Sequence, residues 1–384
     1  MLWIFYILSF IVNAVYTVPS EIRNQLHEDL LFDYMKVPRP VKNTSDVITV
    51  EVGASLIRLL DVDEKNQIMT TNLWLEMRWY DTRLTWNPKK YGGLRSIHIP
   101  SDFIWVPDFV LYNNAVGDPD ITIVTDVLVS YDGRVVWHPP AIYKSFCPID
   151  VTWFPYDTQN CEMKFGIWTY TGYYIDLKQI NRETVSWKNT SSISLTFQFY
   201  DFCSYFRSAE WDLLSLSSAK HSKLYSNCCG PEKFVDITYF FTLRRKTLFF
   251  TCNLIVPCFL ISFLTAFVFC LSHKKIDFAI HLLVTLTVFF LVLLEIMPPT
   301  SIVLPMLGRY LTTTMVLVTA STIVSVIVVN FRLQWVFVSV VMDRLFFIIF
   351  SILNIGSIAI ILEAPIFNDY LEPLNKSTAG KPFG

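Results

Sequence analysis

The sequence lacks the motifs that announce the commoner enzymes. GxSxG, HExxH, GxxxxGK and GxGxxG are all missing, which removes the familiar hydrolase, zinc-protease, P-loop and dinucleotide-binding readings. Charge is also scarce, at 17% of 384 residues, against about 25% in an average soluble domain. The deficit is local: residues 247–362 hold eight charges (Lys274, Lys275, Asp277, Glu295, Arg309, Arg332, Asp343, Arg344), whereas the remaining 268 positions hold 56. A single soluble globule does not distribute charge in this way; a membrane half joined to a wet half does. The formal net charge of −2 gives no electrostatic footprint for nucleic acid, so no nucleic-acid partner is expected. No enzyme activity, metal or cofactor is expected either.

Residues 2–12 (LWIFYILSFIV) form an apolar run of signal-peptide length, followed by small and polar residues at Asn13, Ala14 and Thr17. A signal peptide over 1–17 is the reading, although the basic segment that usually opens one is absent. Sequons at Asn43, Asn189 and Asn375 fit export and glycosylation. Four later runs reach the roughly 20 apolar residues that a bilayer requires: 247–271, 276–294, 310–330 and 345–362. Arg244, Arg245 and Lys246 on one side compete with Lys274, Lys275, Arg332 and Arg344 on the other, so positive charge alone does not orient them. The export signals do, placing both termini outside, with a short cytoplasmic loop over 331–344 and an extracellular tail over 363–384.

The second run carries a pattern. Asp277, His281, Val284, Val288, Leu291 and Glu295 all fall within about 40° of one line along a helix that is about 27 Å long between the outer two. Charge in hydrocarbon is costly, so this face should meet water or a partner. A polar–apolar–polar stripe of bilayer length suits a pore wall. One helix cannot enclose a pore, so several subunits must each contribute one.

Residues 18–246 read as all-β. Period-two runs such as VITVEVGASLIRLL, TTNLWLEMRWYD, TDVLVSYDGRVVW and FVDITYFFTL are bounded by turn formers, and Tyr131-Asp-Gly marks a hairpin. An immunoglobulin-like sandwich of about ten strands is expected, followed by a transmembrane domain of four helices over 247–362. Cys147 and Cys161 enclose thirteen residues, a loop that an extracellular disulfide could close. Adjacent Cys228 and Cys229 can bond to each other in an eight-membered ring or to separate partners. Cys203 is left as a free thiol or an intermolecular link, and Cys252, Cys258 and Cys270 as packing residues.

CPIDVTWFPYDTQNC resembles the signature loop of the Cys-loop receptors. TTNLWLEMRW, WVPDFVLYNN, this loop, KFGIWTY, the adjacent cysteines and DITYFFTLRRKTLFF stand in that family's order, and the second apolar run ends in EIMP. The paired cysteines make the chain similar to an alpha-type nicotinic subunit. The resemblance implies disulfides Cys147–Cys161 and Cys228–Cys229, in a pentameric channel of the plasma membrane, at a postsynaptic site, in contact with lipid. Five like or mixed subunits would bind a small cationic neurotransmitter in an aromatic cage, where cation–π attraction is worth about 2 kcal/mol or more. Tyr112, Trp168, Tyr225 and Phe234, with Cys228 and Cys229, would form one face of the cage and Trp79 the other. Strand parity favours a core role for Trp79 by itself; Trp74, Trp86, Trp105, Trp137 and Trp153 are read as packing.

The resemblance also implies that binding is coupled to the pore through Glu64, Phe154, Pro155, Asp157 and Arg245, and through 298–305. The specific expectation is a Glu64–Arg245 ion pair, the alternative being an exposed pair of little energy. Asp277 and Glu295 would form acidic rings that favour cations, Val284 and Val288 an apolar gate, and His281 a site of acid inhibition. Departures from the family pattern leave the ligand open among acetylcholine, choline and betaine. Phe234 replaces a tyrosine, Tyr225 sits one residue further from the cysteines, and Val136 and His138 occupy positions that vary with ligand class. Lys274 stands where cation-selective relatives carry glutamate, and 331–344 is much shorter than usual. The short 331–344 segment sustains a rival reading, a non-conducting regulatory or assembly subunit.

Overall fold

Alternation in the sequence becomes a two-faced sheet. In β2 (Ile68–Thr85), Met69, Thr71, Leu73, Leu75, Met77 and Trp79 turn into the core while Trp74 and Tyr80 turn out, as the two-residue side-chain period requires. The computed structural model describes residues 20–117, 121, 123, 125–180, 208–224, 233–271, 274–297, 303–332 and 335–362. The expected signal segment, Asn189, Cys203, Tyr225, Cys228, Cys229, Asn375 and the tail lie outside the described residues.

A helix, α1 (Ser20–Leu31), precedes eleven strands in two sheets. The first sheet runs β3 (Ser96–Pro100), β5 (Asp126–Ser130), β6 (Asp132–Trp137), β2, β1 (Ile48–Asp63) and β9 (Ile175–Gln179), with β7 (Pro140–Phe146) also paired to β2. The second runs β10 (Trp211–Leu224), β11 (Lys233–Arg245), β8 (Thr158–Ile167) and β4 (Phe109–Leu111). Gly133 closes the β5–β6 hairpin at φ +84°, and a Cβ there would stand 2.5 Å from the Asp81 carbonyl oxygen, so only glycine fits. Between the sheets, Phe165 stacks on Phe109 at 5.2 Å and meets Tyr143 edge-on at 5.1 Å. The expected β-sandwich is present.

Four helices follow, each long and apolar enough to cross a membrane. The first, α2 (Leu248–Cys270), contains a π turn at Thr251–Ile255 just before Pro257. Proline has no N–H and its ring crowds the carbonyl four residues back, and a widened turn upstream accommodates it. The second is α3 (Lys275–Ile296), the third α4 (Met306–Arg332) and the fourth α5 (Val336–Leu362). The fourth begins nine residues before the expected start at 345, and the third four residues before 310. Most of the expected 331–344 loop is therefore helix, and the connection shrinks to 333–335. Hydropathy stops counting at Asp343 and Arg344, but a charge does not end a helix. Asp343 Oδ2 accepts from Lys275 Nζ of α3 at 2.5 Å.

Candidate functional site

Three groups of residues stand out, at the outer end of the sandwich, at its membrane end and along α3. The outer group forms because β8 ends at Ile167 and the chain turns there. Trp168 N–H donates to Asp108 O at 3.2 Å and Thr169 N–H to Asp108 Oδ2 at 2.6 Å. Gly172 N–H donates to Lys233 O at 2.7 Å, fastening the turn to β11. The Trp168 indole is left 68% exposed. Tyr112, just after β4, donates its hydroxyl to Ile167 O at 2.7 Å and holds its ring edge-on to Trp168 at 6.1 Å. Gly166 makes this possible, since a Cβ there would lie 2.3 Å from the Tyr112 ring. Phe234 lies two residues beyond the register pair Asp236–Gly166, as Trp168 lies two beyond Gly166, so the two are level along their strands. Three of the expected aromatic residues thus come together. Lys164 Nζ, 5.9 Å from the Tyr112 ring centre and 3.5 Å from Asp236 Oδ1, completes the floor.

Trp79 does not belong to a binding face. It is 1% exposed and packs edge-on against Trp105 at 6.0 Å. Parity decides the matter: Trp79 shares the inward face with Leu73, Leu75 and Met77. The outward residue of the same motif is Trp74, read from sequence as packing, which is 54% exposed. Val136 is level with Arg78 on the outward side of the first sheet, and His138 Nε2 lies 3.6 Å from Glu76 Oε1. Trp86, Trp105 and Trp137 are buried, as expected of packing residues.

At the membrane end, Cys147 and Cys161 are joined by a disulfide. Cys147 N–H also donates to Gln67 O in the β1–β2 turn at 2.9 Å. Arg245, the last residue of β11, is 4% exposed. Its Nε and Nη2 donate to the two oxygens of Asp157 at 2.8 and 3.1 Å, and Nη1 donates to Glu64 Oε1. The guanidinium also lies 4.3 Å from the Trp211 ring, 4.9 Å from Phe154 and 5.5 Å from Phe250. Gln159 Nε2 donates to Asp157 Oδ2 at 2.6 Å. Burial pulls the Arg245 pKa down, but the hydrogen bonds and charge of Asp157, then those of Glu64, outweigh it and leave the group above its ordinary value. The Glu64–Arg245 pair exists, and it is not the exposed surface pair that was its alternative. Sequence reasoning missed the aromatic box, although Trp211 is the direct cross-strand partner of Arg245.

The disulfide loop meets the helices directly. Phe154 and Phe250 pack ring to ring at 5.0 Å, the hydroxyls of Tyr156 and Thr251 lie 3.3 Å apart, and Met306 N–H donates to Thr152 O at 2.9 Å. Along α3, Ala279, Leu282, Leu286 and Leu293 are buried against the other helices. Asp277, His281, Val284, Val288, Leu291 and Glu295 are all exposed. The stripe read from sequence is thus a face that one chain leaves uncovered. Asn43 is exposed in a turn, with its N–H donating to Asp46 Oδ2 at 3.1 Å.

Fold and site define a membrane-spanning receptor: a β-sandwich whose disulfide-closed loop rests on two of four apolar helices. The family model for the neurotransmitter-gated ion-channel ligand binding domain matches residues 23–247, and that for the transmembrane region matches 254–334. The chain belongs to the neurotransmitter-gated ion-channel family, a family of channel receptors and not of enzymes. It is 50% identical over 309 residues to acetylcholine receptor subunit alpha-like of Manduca sexta, covering 80% of this chain and 58% of the relative. It is 48% identical over 338 residues to acetylcholine receptor subunit alpha-type unc-63 of Caenorhabditis elegans, covering 85% and 67%. Against neuronal acetylcholine receptor subunit alpha-2 of Mus musculus it is 47% identical over 310 residues, covering 80% and 57%. The chain therefore spans between half and two thirds of the length of these relatives.

Proposed function

We propose that the chain is a subunit of a pentameric, cation-selective channel of the plasma membrane, opened by acetylcholine or a related quaternary amine. The observation that carries this reading is the exposed Trp168 ring held edge-on to Tyr112. Indole is the strongest cation–π partner among side chains, and a tryptophan this exposed offers its face to something outside its own chain. Phe234 supports the same cage, as do Tyr225, Cys228 and Cys229 beyond the described residues. In this reading the complementary wall is Trp74 with Val136 and His138, on the outward face of the first sheet. One chain carries both halves on different sheets, so the cage is completed between subunits. The ligand would be held by ring faces, with the Phe234 ring contributing no hydroxyl.

Coupling follows the covalent path. Movement of the β10–β11 hairpin reaches Arg245, whose partners Glu64 and Asp157 lie on the β1–β2 turn and in the disulfide loop. That loop touches α2 at Phe250 and Thr251 and α4 at Met306, and α3 lies between these two helices in sequence. In the assembled ring the α3 stripes would line the pore, with Val284 and Val288 as the apolar gate. Asp277 and Glu295 would be the rings that favour cations. Trp168→Ala should abolish or strongly weaken the response to agonist; an undiminished response would refute the cage. Asp277→Asn should weaken cation preference, read as a shift in reversal potential. A second reading, an assembly or regulatory subunit, is favoured by Lys274 and by the short α4–α5 connection. A postsynaptic site and glycosylation at Asn43, Asn189 and Asn375 belong to the same proposal.

A further inference from the structure

The inner part of the α3 stripe differs in chemistry from the rest. Asp277 and His281 are four residues apart, so they stand one turn above another on one face, and both are exposed. Above them the stripe is Val284, Val288 and Leu291, and it regains a polar group only at Glu295. Neither basic residue nearby forms an ion pair with Asp277 among the described residues. Lys275 is buried and bound to Asp343. Lys274 precedes the helix with left-handed backbone at φ 58°. Among the described residues neither Asp277 nor His281 forms an ion pair, and the His281 carbonyl oxygen accepts from Thr285 Oγ1 at 2.9 Å.

An imidazole nitrogen and a carboxylate oxygen are ligands for first-row transition metals, and the i, i+4 spacing on a helix lets two such groups reach one ion. One chain supplies two donors, whereas zinc takes four; among the described residues no group of three His, Cys, Asp or Glu could hold a metal. Symmetry supplies the rest. If α3 lines a pore, every subunit presents the same Asp277 and His281 to the same axis. We propose that the Asp277 and His281 rings of the assembled channel together form a transition-metal site of the zinc class, whose occupation blocks ion flow. This inference rests on the pore reading above. The Glu295 ring, about 27 Å away, has carboxylates without imidazole and should favour hard cations such as calcium and magnesium.

The experiment applies zinc chloride to agonist-evoked current from the full chain, with magnesium chloride as the control. Wild-type current should be blocked by zinc and not by equal magnesium. Because second-shell partners of a metal alone are worth about 10–100-fold in affinity, His281→Thr should weaken block by at least about tenfold. Asp277→Asn should weaken it less, and Glu295→Gln should leave it unchanged. Zinc block unaltered by His281→Thr overturns the site while leaving the channel reading intact. Absence of current with any amine would count against the channel reading and not against the metal site. Radiolabelled zinc binding to the full-length protein in detergent then decides the latter. About one ion per assembled channel, lost in His281→Thr, supports it; one ion per chain, or binding equal in both proteins, overturns it.

Discussion

At the membrane end of the sandwich, Arg245 is buried and meets two carboxylates and three aromatic rings of its own chain. At the outer end, about 35 Å away along β8, Trp168 holds a large apolar ring in the open beside Tyr112. One region is satisfied within a single polypeptide and the other is not. The difference separates parts that must hold together in every subunit from parts that become complete only against a ligand or a neighbour. The exposed stripe on α3 belongs with Trp168 in this respect, and the disulfide belongs with Arg245.

Substitutions can break that contrast. The largest effects should fall on the satisfied region. Asp157→Ala leaves the Arg245 cation buried with one partner removed, and should cost about 3–5 kcal/mol. Trp79→Ala opens a cavity between the sheets and should cost a similar ~3–5 kcal/mol. Both should appear as loss of surface expression and as a lowered melting temperature in detergent, before any question of ligand arises. Trp168→Ala should leave expression intact and reduce agonist potency by roughly 30-fold, equivalent to about 2 kcal/mol of cation–π attraction. Trp74→Ala should also spare expression and weaken agonist less, because Trp168 retains its own ring. Were Trp79→Ala to express normally and lose only potency, the assignment of these two tryptophans would be reversed. Smallest of all is the Glu64–Arg245 coupling, roughly 1 kcal/mol, because Glu64 is partly exposed and so lies between a surface and a buried pair. A double-mutant cycle on agonist potency measures it.

Local patterns account for what could be read from the sequence. The period-two runs led to the sandwich and four apolar runs to the helices, while a thirteen-residue spacing permitted the Cys147–Cys161 bridge that the family resemblance implied. The α3 stripe followed from a 100° step alone. The α5 start was misplaced because hydropathy treats Asp343 and Arg344 as an end, whereas Lys275, 68 residues earlier, pairs with Asp343. Motif matching chose Trp79 over Trp74, although the alternation of Leu73, Leu75 and Met77 pointed the other way; parity was the better guide. The Glu64–Arg245 pair was expected from the resemblance, but the burial of Arg245 between Asp157 and three aromatic rings was hidden for a different reason. Its partners Asp157 and Glu64 lie 88 and 181 residues away, and only the folded sheets bring them to one point.

In the proposed receptor, ligand bound at the exposed aromatic residues opens a cation pathway lined by α3. Voltage-clamp recording from oocytes expressing this chain, with acetylcholine, choline and betaine applied in turn, tests it most directly. An amine-evoked current whose reversal potential moves with the sodium gradient is the expected result. A current whose reversal potential instead follows chloride would contradict it.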